Sequence, residues 1–243
     1  SVIICVGDSV LLSAQNEPNY QYTWYKDNVL IDTLFSVAAH STGNYKCNIT
    51  DMLSGCSLES SATSIIVNSL PSSVVSVSGS TTFCQGDSVV LSTSSIAGNT
   101  YQWKLNSNNI IGATGNSFTA LGSGNYAVEV TNSSGCSTTS SSTSVTVLAP
   151  VINTSIIGQS TGVTPLNQYT YLVSNDTAIT FSWQANNGAI IAGQGTNSVD
   201  VIWNQASSGK LTINRSNGFC SATDTLNIIT TFNFSEISNK FNI

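Results

Sequence analysis

Charge is what this chain has least of: 7% of its residues are Asp, Glu, Lys or Arg, against about a quarter in ordinary soluble domains. Ser, Thr and Asn are abundant instead, so solubility rests on hydroxyls and amides. Six bases against twelve acids leave no electrostatic footprint for phosphate backbones or anionic lipid, which excludes nucleic acid as a partner. Histidine is reduced to His40. General acid–base catalysis needs a group titrating near neutral pH, and His40 falls in a turn with no counterpart elsewhere in the chain, as a solvated loop residue would. The acids are dispersed, and no Asp-x-Asp loop gathers the six to eight oxygens that calcium takes. There is no Cys-x-x-Cys pair, no nucleophile elbow and no phosphate-cradling glycine loop followed by a helix. The expectation is a chain that is not an enzyme, with no catalytic residue, cofactor or metal. No apolar run is long enough to span a bilayer, so no membrane insertion is expected. Nothing at Ser1 resembles a signal peptide.

What the chain does have is repetition. Cys5-Val6-Gly7-Asp8-Ser9-Val10-Leu11-Leu12-Ser13 returns as Cys84-Gln85-Gly86-Asp87-Ser88-Val89-Val90-Leu91-Ser92. Each copy is followed in order by a Tyr-x-Trp, a Gly-Asn-Tyr and a Gly-Cys-Ser, and a fixed period of this length means tandem domains. Residue 1 stands almost inside the first repeat, so the chain reads as a processed or recombinant piece of something longer. Trp24, Trp103 and Trp183 extend the period to a third, more divergent copy. The boundaries expected are 1–70, 71–149 and 150–230, with a tail over 231–243. Pro71 and Pro150 mark the handovers, where a fixed φ and a missing N–H stop a strand and stiffen a short connection.

No segment carries a sustained 3.6-residue periodicity, while short alternating runs bounded by Gly, Asn, Asp and Ser recur throughout. The fold class expected is all-β: three consecutive β-sandwich domains in an elongated array. Strands are predicted near 9–14, 20–26, 34–38, 43–50 and 63–67, near 88–92, 101–105, 117–120, 124–131 and 142–148, and near 168–173, 180–185, 198–203, 209–215 and 222–228. Alternation places Tyr22 with Trp24, Tyr101 with Trp103 and Phe181 with Trp183 on one strand face. Such aromatics fill the roughly 10 Å between two packed sheets.

Ser41-Thr42-Gly43-Asn44-Tyr45-Lys46-Cys47 and Gly122-Ser123-Gly124-Asn125-Tyr126-Ala127-Val128 have the form of a tyrosine corner, which makes Tyr45 and Tyr126 core aromatics. With these motifs in place, residues 3–148 resemble the immunoglobulin-like superfamily, in particular the Cys-x-Gly-Asp-Ser-Val…Tyr-x-Trp…Gly-x-Tyr…Gly-Cys-Ser repeats of large bacterial surface proteins. Tyr169-Thr170-Tyr171, Phe181-Ser182-Trp183 and the Gly193–Ser198 segment resemble the polycystic-kidney-disease-type (PKD-like) sandwich modules found in the same proteins. Calcium is known in some such modules, but no ligand cluster here supports it. Residues 235–243 resemble the lead-in to the C-terminal sorting domain of type IX secretion in Bacteroidota, which implies a secreted or surface-attached parent protein.

Six cysteines at repeat-locked positions point to an oxidising compartment. The economical pairing ties the start of each repeat to the turn after its penultimate strand: Cys5 with Cys56 and Cys84 with Cys136. Cys47 stands where antibody domains carry their second cysteine, but Leu12 occupies the partner position, so a buried free thiol is expected. Cys220 matches a turn cysteine whose partner position, near Thr164, has none, so it too is expected free. Asp followed by Ser or Thr and an apolar residue resembles the O-glycan acceptor motif of exported proteins of that phylum. It would place glycans on Ser9, Thr33, Ser88, Thr177 and Thr225, although Asp-Ser and Asp-Thr at a strand start are also ordinary turn chemistry.

The function expected is that of a non-catalytic extracellular stalk that presents a distal module, monomeric, with neighbouring domains of its parent as partners. The alternatives are an adhesin or carbohydrate-binding module, using Tyr20, Tyr25 or the Asn106–Asn109 tip on surface glycan or protein, and an accessory region of a surface glycoside hydrolase or protease.

Overall fold

The computed structural model describes residues 1–205 and 208–231, and over them the chain is built from strands with no helix. It divides into two compact units. One comprises Ser1–Gly79, Val90–Ala120 and Gly124–Ser144, and the other Ser80–Val89, Leu121–Ser123 and the described residues from Val145 on.

The first repeat supplies eight strands: β1 (Val2–Cys5), β2 (Val10–Ser13), β3 (Tyr20–Lys26), β4 (Val29–Asp32), β5 (Ser36–Ala39), β6 (Gly43–Asp51), β7 (Ser57–Glu59) and β8 (Thr63–Asn68). One sheet runs β1-β8-β6-β3-β4, with β7 also on β6, and β2 pairs with β5 in a second. Alternation decides which side chains face the gap between them. Tyr22 and Trp24 on β3 and Cys47 on β6 are buried with Leu12 and Val37 against them, and Ala39, Tyr45 and Ile65 form an adjoining cluster. The Trp24 indole N–H donates to the Leu34 carbonyl at 3.0 Å, and the Tyr22 hydroxyl donates to the Gln15 carbonyl at 2.7 Å. Both core aromatics thus also anchor a loop. Tyr45 makes the corner itself, its hydroxyl donating to the Ser41 carbonyl at 2.9 Å.

The second repeat follows with β9 (Ser76–Val77), β10 (Thr82–Cys84), β11 (Val89–Ser92), β12 (Thr100–Leu105), β13 (Asn108–Asn109), β14 (Ser117–Ala120), β15 (Gly124–Thr131), β16 (Ser137–Thr139) and β17 (Thr143–Leu148). Trp103, fully buried, donates its indole N–H to the Gly115 carbonyl at 3.0 Å, and Tyr101 donates to the Ser94 carbonyl. Phe118 lies 6.0 Å from Trp103 and 5.8 Å from the buried Tyr126, ring to ring. Two tight hairpins also match between the repeats. Asp27 and Asn28 join β3 to β4, Asn106 and Ser107 join β12 to β13, and all four have positive φ, as a type I′ turn requires. In each the first turn residue accepts from a backbone N–H across the sheet: Asp27 from Asn44 at 2.9 Å and Asn106 from Asn125 at 3.0 Å.

The last six strands are β18 (Gln168–Leu172), β19 (Thr180–Asn186), β20 (Gly188–Ala192), β21 (Ser198–Trp203), β22 (Ser208–Ser216) and β23 (Ser221–Ile229). Sheets β18-β21-β20 and β19-β22-β23 enclose a core that holds Tyr171, Trp183, Trp203, Leu211 and Ile213. Trp183 repeats the indole contact, donating to the Thr196 carbonyl at 2.8 Å. Trp203 is a second buried indole, donating to the Tyr171 hydroxyl at 2.8 Å with the rings edge to face. A Cβ on Gly188 or Gly209 would sit 2.6 or 2.5 Å from the Trp203 ring, so both glycines make room for it. Where the other repeats have the corner tyrosine, this one has Leu211, fully buried. Arg215, 3% exposed, pairs with Asp224 and donates to the Thr154 hydroxyl.

Candidate functional site

Strand direction determines where each cysteine arrives. β1 runs parallel to β8, in register Val2 with Ile65 through Cys5 with Asn68, which carries Cys5 to the end of the sheet where the first repeat finishes. β6 runs against β8, with Tyr45 opposite Thr63, so the turn after β6 forms at the other end. Cys56 closes that turn, its carbonyl accepting from the Asp51 N–H at 2.9 Å. At about 3.3 Å per residue, the length of β6 and β8 separates Cys5 from Cys56 by roughly 30 Å. A disulfide needs Cα atoms within about 7 Å. The expected Cys5–Cys56 bridge is therefore corrected: Cys5 is bonded to Cys136 of the second repeat, with Cα atoms 5.6 Å apart, and Cys56 is a free, exposed thiol.

Cys136 sits in the equivalent turn. Asn132 accepts from the Ser134 and Cys136 N–H groups through its side chain and donates to the Ser69 carbonyl at 2.9 Å, so the turn rests on the last residues of the first repeat. The second bridge repeats the plan. β10 runs parallel to β17, Cys84 stands opposite Leu148, and Cys84 is bonded to Cys220 with a Cα separation of 5.6 Å. The Cys220 turn is built like the other, with Asn217 accepting from the Phe219 and Cys220 N–H groups. The expected Cys84–Cys136 bridge and the free Cys220 are corrected accordingly. Each bridge joins the first strand of one repeat's larger sheet, β1 or β10, to the turn cysteine of the next repeat. A signal for this lay in the sequence: the third repeat has a turn cysteine and no first-strand cysteine, and only pairing between repeats gives it a partner.

Cys47 is a free thiol, 2% exposed, opposite Trp24 on the neighbouring strand. Burial pushes its thiol pKa above the ordinary range, with the Thr23 backbone partly offsetting the shift. His40 is exposed, its Nδ1 3.2 Å from the Ala38 carbonyl oxygen. Among the described residues no group of three or more His, Cys, Asp or Glu could hold a metal ion, and no helix is long and apolar enough to cross a membrane. Ser9, Thr33, Ser88, Thr177 and Thr225 are all exposed. Their preceding acids have local duties: Asp32 accepts from the Thr33 and Leu34 N–H groups, and Asp224 holds Arg215. Of the aromatics considered for sugar, Tyr20 is 43% exposed beside shallow grooves and Tyr25 is half-buried. Phe35 is the other exposed ring of that repeat, and the Asn106–Asn109 tip presents no aromatic at all.

These sheets, with their indole anchors and cross-ties, define a multidomain β-sandwich chain of the immunoglobulin type. Residues 71–150 match the Ig-like domain CHU_C associated family, and residues 149–229 match the PKD-like domain family, so the chain carries a module of each. No curated protein matches the chain. Among solved structures it is similar to an I-band fragment of titin, at 18% identity over 96% of both chains with a TM-score of 0.48. It is similar also to the three N-terminal domains of the bacteriophage RB49 outer capsid protein Hoc, at 15% identity over 95% of this chain and 96% of that one with a TM-score of 0.41. The ICAM-5 D1–D4 ectodomain fragment aligns at 11% identity over 95% of this chain and 74% of its own, with a TM-score of 0.46.

Proposed function

We propose that the chain is a non-catalytic spacer of an extracellular bacterial protein, holding a distal module away from the surface to which the parent is attached. The observation that carries this is the pair of bridges between consecutive repeats, Cys5–Cys136 and Cys84–Cys220. A binding module has no need for its neighbours to be covalently fastened to it, whereas a spacer under pull does. Disulfides of this kind persist only in an oxidising compartment, which supports placing the parent outside the cell. The Ig-like and PKD-like modules support the same reading, and export by the type IX route of Bacteroidota belongs to this proposal. The tail resemblance behind it lies outside the described residues. The five exposed Asp-Ser and Asp-Thr hydroxyls are proposed O-glycan acceptors of the exported protein.

The carbohydrate-binding alternative calls for three or more exposed aromatics on one module. Among the described residues the first repeat offers two, Tyr20 and Phe35, and the third module one, Phe219. A spacer is replaceable by its length. In the parent protein, exchanging residues 1–230 for an unrelated rigid array of equal span should preserve the activity of the distal module, and deleting them should reduce it. Specific binding of the isolated chain on a glycan array, lost in Tyr20→Ala, would overturn the proposal.

A further inference from the structure

Cys56 is the one turn cysteine of the three that has no partner. Its turn is similar to the two that do, except that the Cys56 N–H donates to the Ser54 hydroxyl, where Cys136 and Cys220 donate to Asn132 and Asn217. Asp51 stands where Asn132 and Asn217 stand, accepting from the Leu53 N–H at 2.9 Å and from the Ser54 hydroxyl at 2.8 Å. The backbone closure also repeats, Asp51 to Cys56 as Asn132 to Cys136 and Asn217 to Cys220. These hydrogen bonds hold the Asp51 carboxyl below the usual carboxylate range. What differs is cover. Cys136 is 0% and Cys220 3% exposed, each shielded in the bonded state, while Cys56 lies open. Cys56 lines a shallow groove of about 340 Å³ with Tyr20, Ile49, Asp51, Ser54, Ser57 and Leu58, of which Tyr20 and Leu58 are exposed at 43% and 77%. A free thiol at a groove shared by Tyr20, Ile49 and Leu58 with Asp51, Ser54 and Ser57, in a turn whose two counterparts are both cross-tied, has the character of an unfilled socket.

We infer that Cys56 is the acceptor half of a third cross-tie, and that its occupant is another immunoglobulin-like module bearing the Cys-x-Gly-Asp-Ser first strand, joined through that strand's cysteine. Both formed bridges use a donor of that kind: Cys5 before Gly7-Asp8-Ser9 and Cys84 before Gly86-Asp87-Ser88. Gly7 and Gly86, at φ of 98° and 104°, turn the chain away just beyond the sulfur, leaving the cysteine at the tip of the sheet to meet the next turn. Chemically the tie forms by exchange with a small disulfide such as oxidised glutathione. One cysteine, as thiolate, attacks a glutathione sulfur and releases one glutathione thiol. The second cysteine attacks the mixed disulfide and releases the other, so two protein thiols are oxidised and one glutathione disulfide is reduced to two thiols. The inference stands whether the array spaces or binds, since it rests on the two bridges and the Cys56 turn.

The test is a tandem chain in which a copy of residues 1–79 is fused ahead of Ser1 of the full chain. The added Cys5 then precedes Cys56 by an interval within a residue or so of the 131 separating Cys5 from Cys136. Refolded in a glutathione redox buffer and digested without reductant, this chain should yield a peptide pair joining the added Cys5 to the original Cys56. The Cys56→Ser variant should leave the added Cys5 as a thiol. Finding the added Cys5 bonded to the Cys56 of its own copy, or unbonded in the parent tandem chain, would overturn the inference. A second measurement needs no fusion: in the folded 243-residue chain a small maleimide should label Cys56 and spare Cys47, and a Cys56 that resists labelling overturns it equally.

Discussion

Stretching the chain between its termini, with and without reductant, reads the bridge pattern as a length. Once every module has unfolded, tension follows the shortest covalent path. With Cys5 bonded to Cys136 and Cys84 to Cys220, that path runs from Ser1 to Cys5, crosses to Cys136, returns to Cys84, crosses to Cys220 and continues to Ile243. It contains about 80 residues, which at ~3.5 Å each extend to roughly 280 Å. Bridges within each repeat would leave about 140 residues and roughly 490 Å, and the reduced chain all of its residues and roughly 850 Å. Single-molecule force spectroscopy with handles on both ends resolves differences of this size easily. The expected result is a contour length near 280 Å that triples when reductant is added. An oxidised length near 490 Å, or one unaffected by reductant, would refute the reasoning from strand direction. Each bridge closes a loop of more than 130 residues, worth about 5 kcal/mol in the chain-entropy model.

Trp103→Phe keeps most of the buried ring but leaves the Gly115 carbonyl without its donor, so chemical denaturation should show a loss of about 1–3 kcal/mol. An unchanged midpoint would mean that the indole N–H anchors nothing. Asp224→Ala strands the buried Arg215 and should cost about 3–5 kcal/mol, read by thermal melting of the third module, with Arg215→Met/Asp224→Leu recovering much of the loss. Cys47 supplies a pH dependence. Its folded pKa is raised, so its contribution to stability is full below the ordinary thiol value and is lost as pH rises through the folded one. Cys47→Ala should flatten the alkaline side of the stability profile, and an unchanged slope there would count against a buried thiol.

Much of the sandwich could be read from the sequence because the signals were local. Tyr-x-Trp placed β3, β12 and β19 by alternation, and Gly-Asn-Tyr placed the start of β6 and β15. The strands without such a signal are short or lack alternation, among them β1 and β10, which find their partners in parallel some sixty residues away, and β4 and β13, which depend on hairpin turns made by Asp27-Asn28 and Asn106-Ser107 without a glycine. Trp203 reads as strand and not as core, since nothing in its period matches the other repeats. The bridges differ from the expected pairs for a directional reason. Proximity along the chain put Cys5 with Cys56, whereas the parallel course of β1 on β8 sends the two to opposite ends of one sheet.

The loops closed by the two bridges overlap, one running from Cys5 to Cys136 and the other from Cys84 to Cys220, and each spans one proline-marked handover. A protease that cuts beside Pro71 or beside Pro150 therefore severs the backbone without releasing either fragment. Such a chain survives nicking at either handover as a single object.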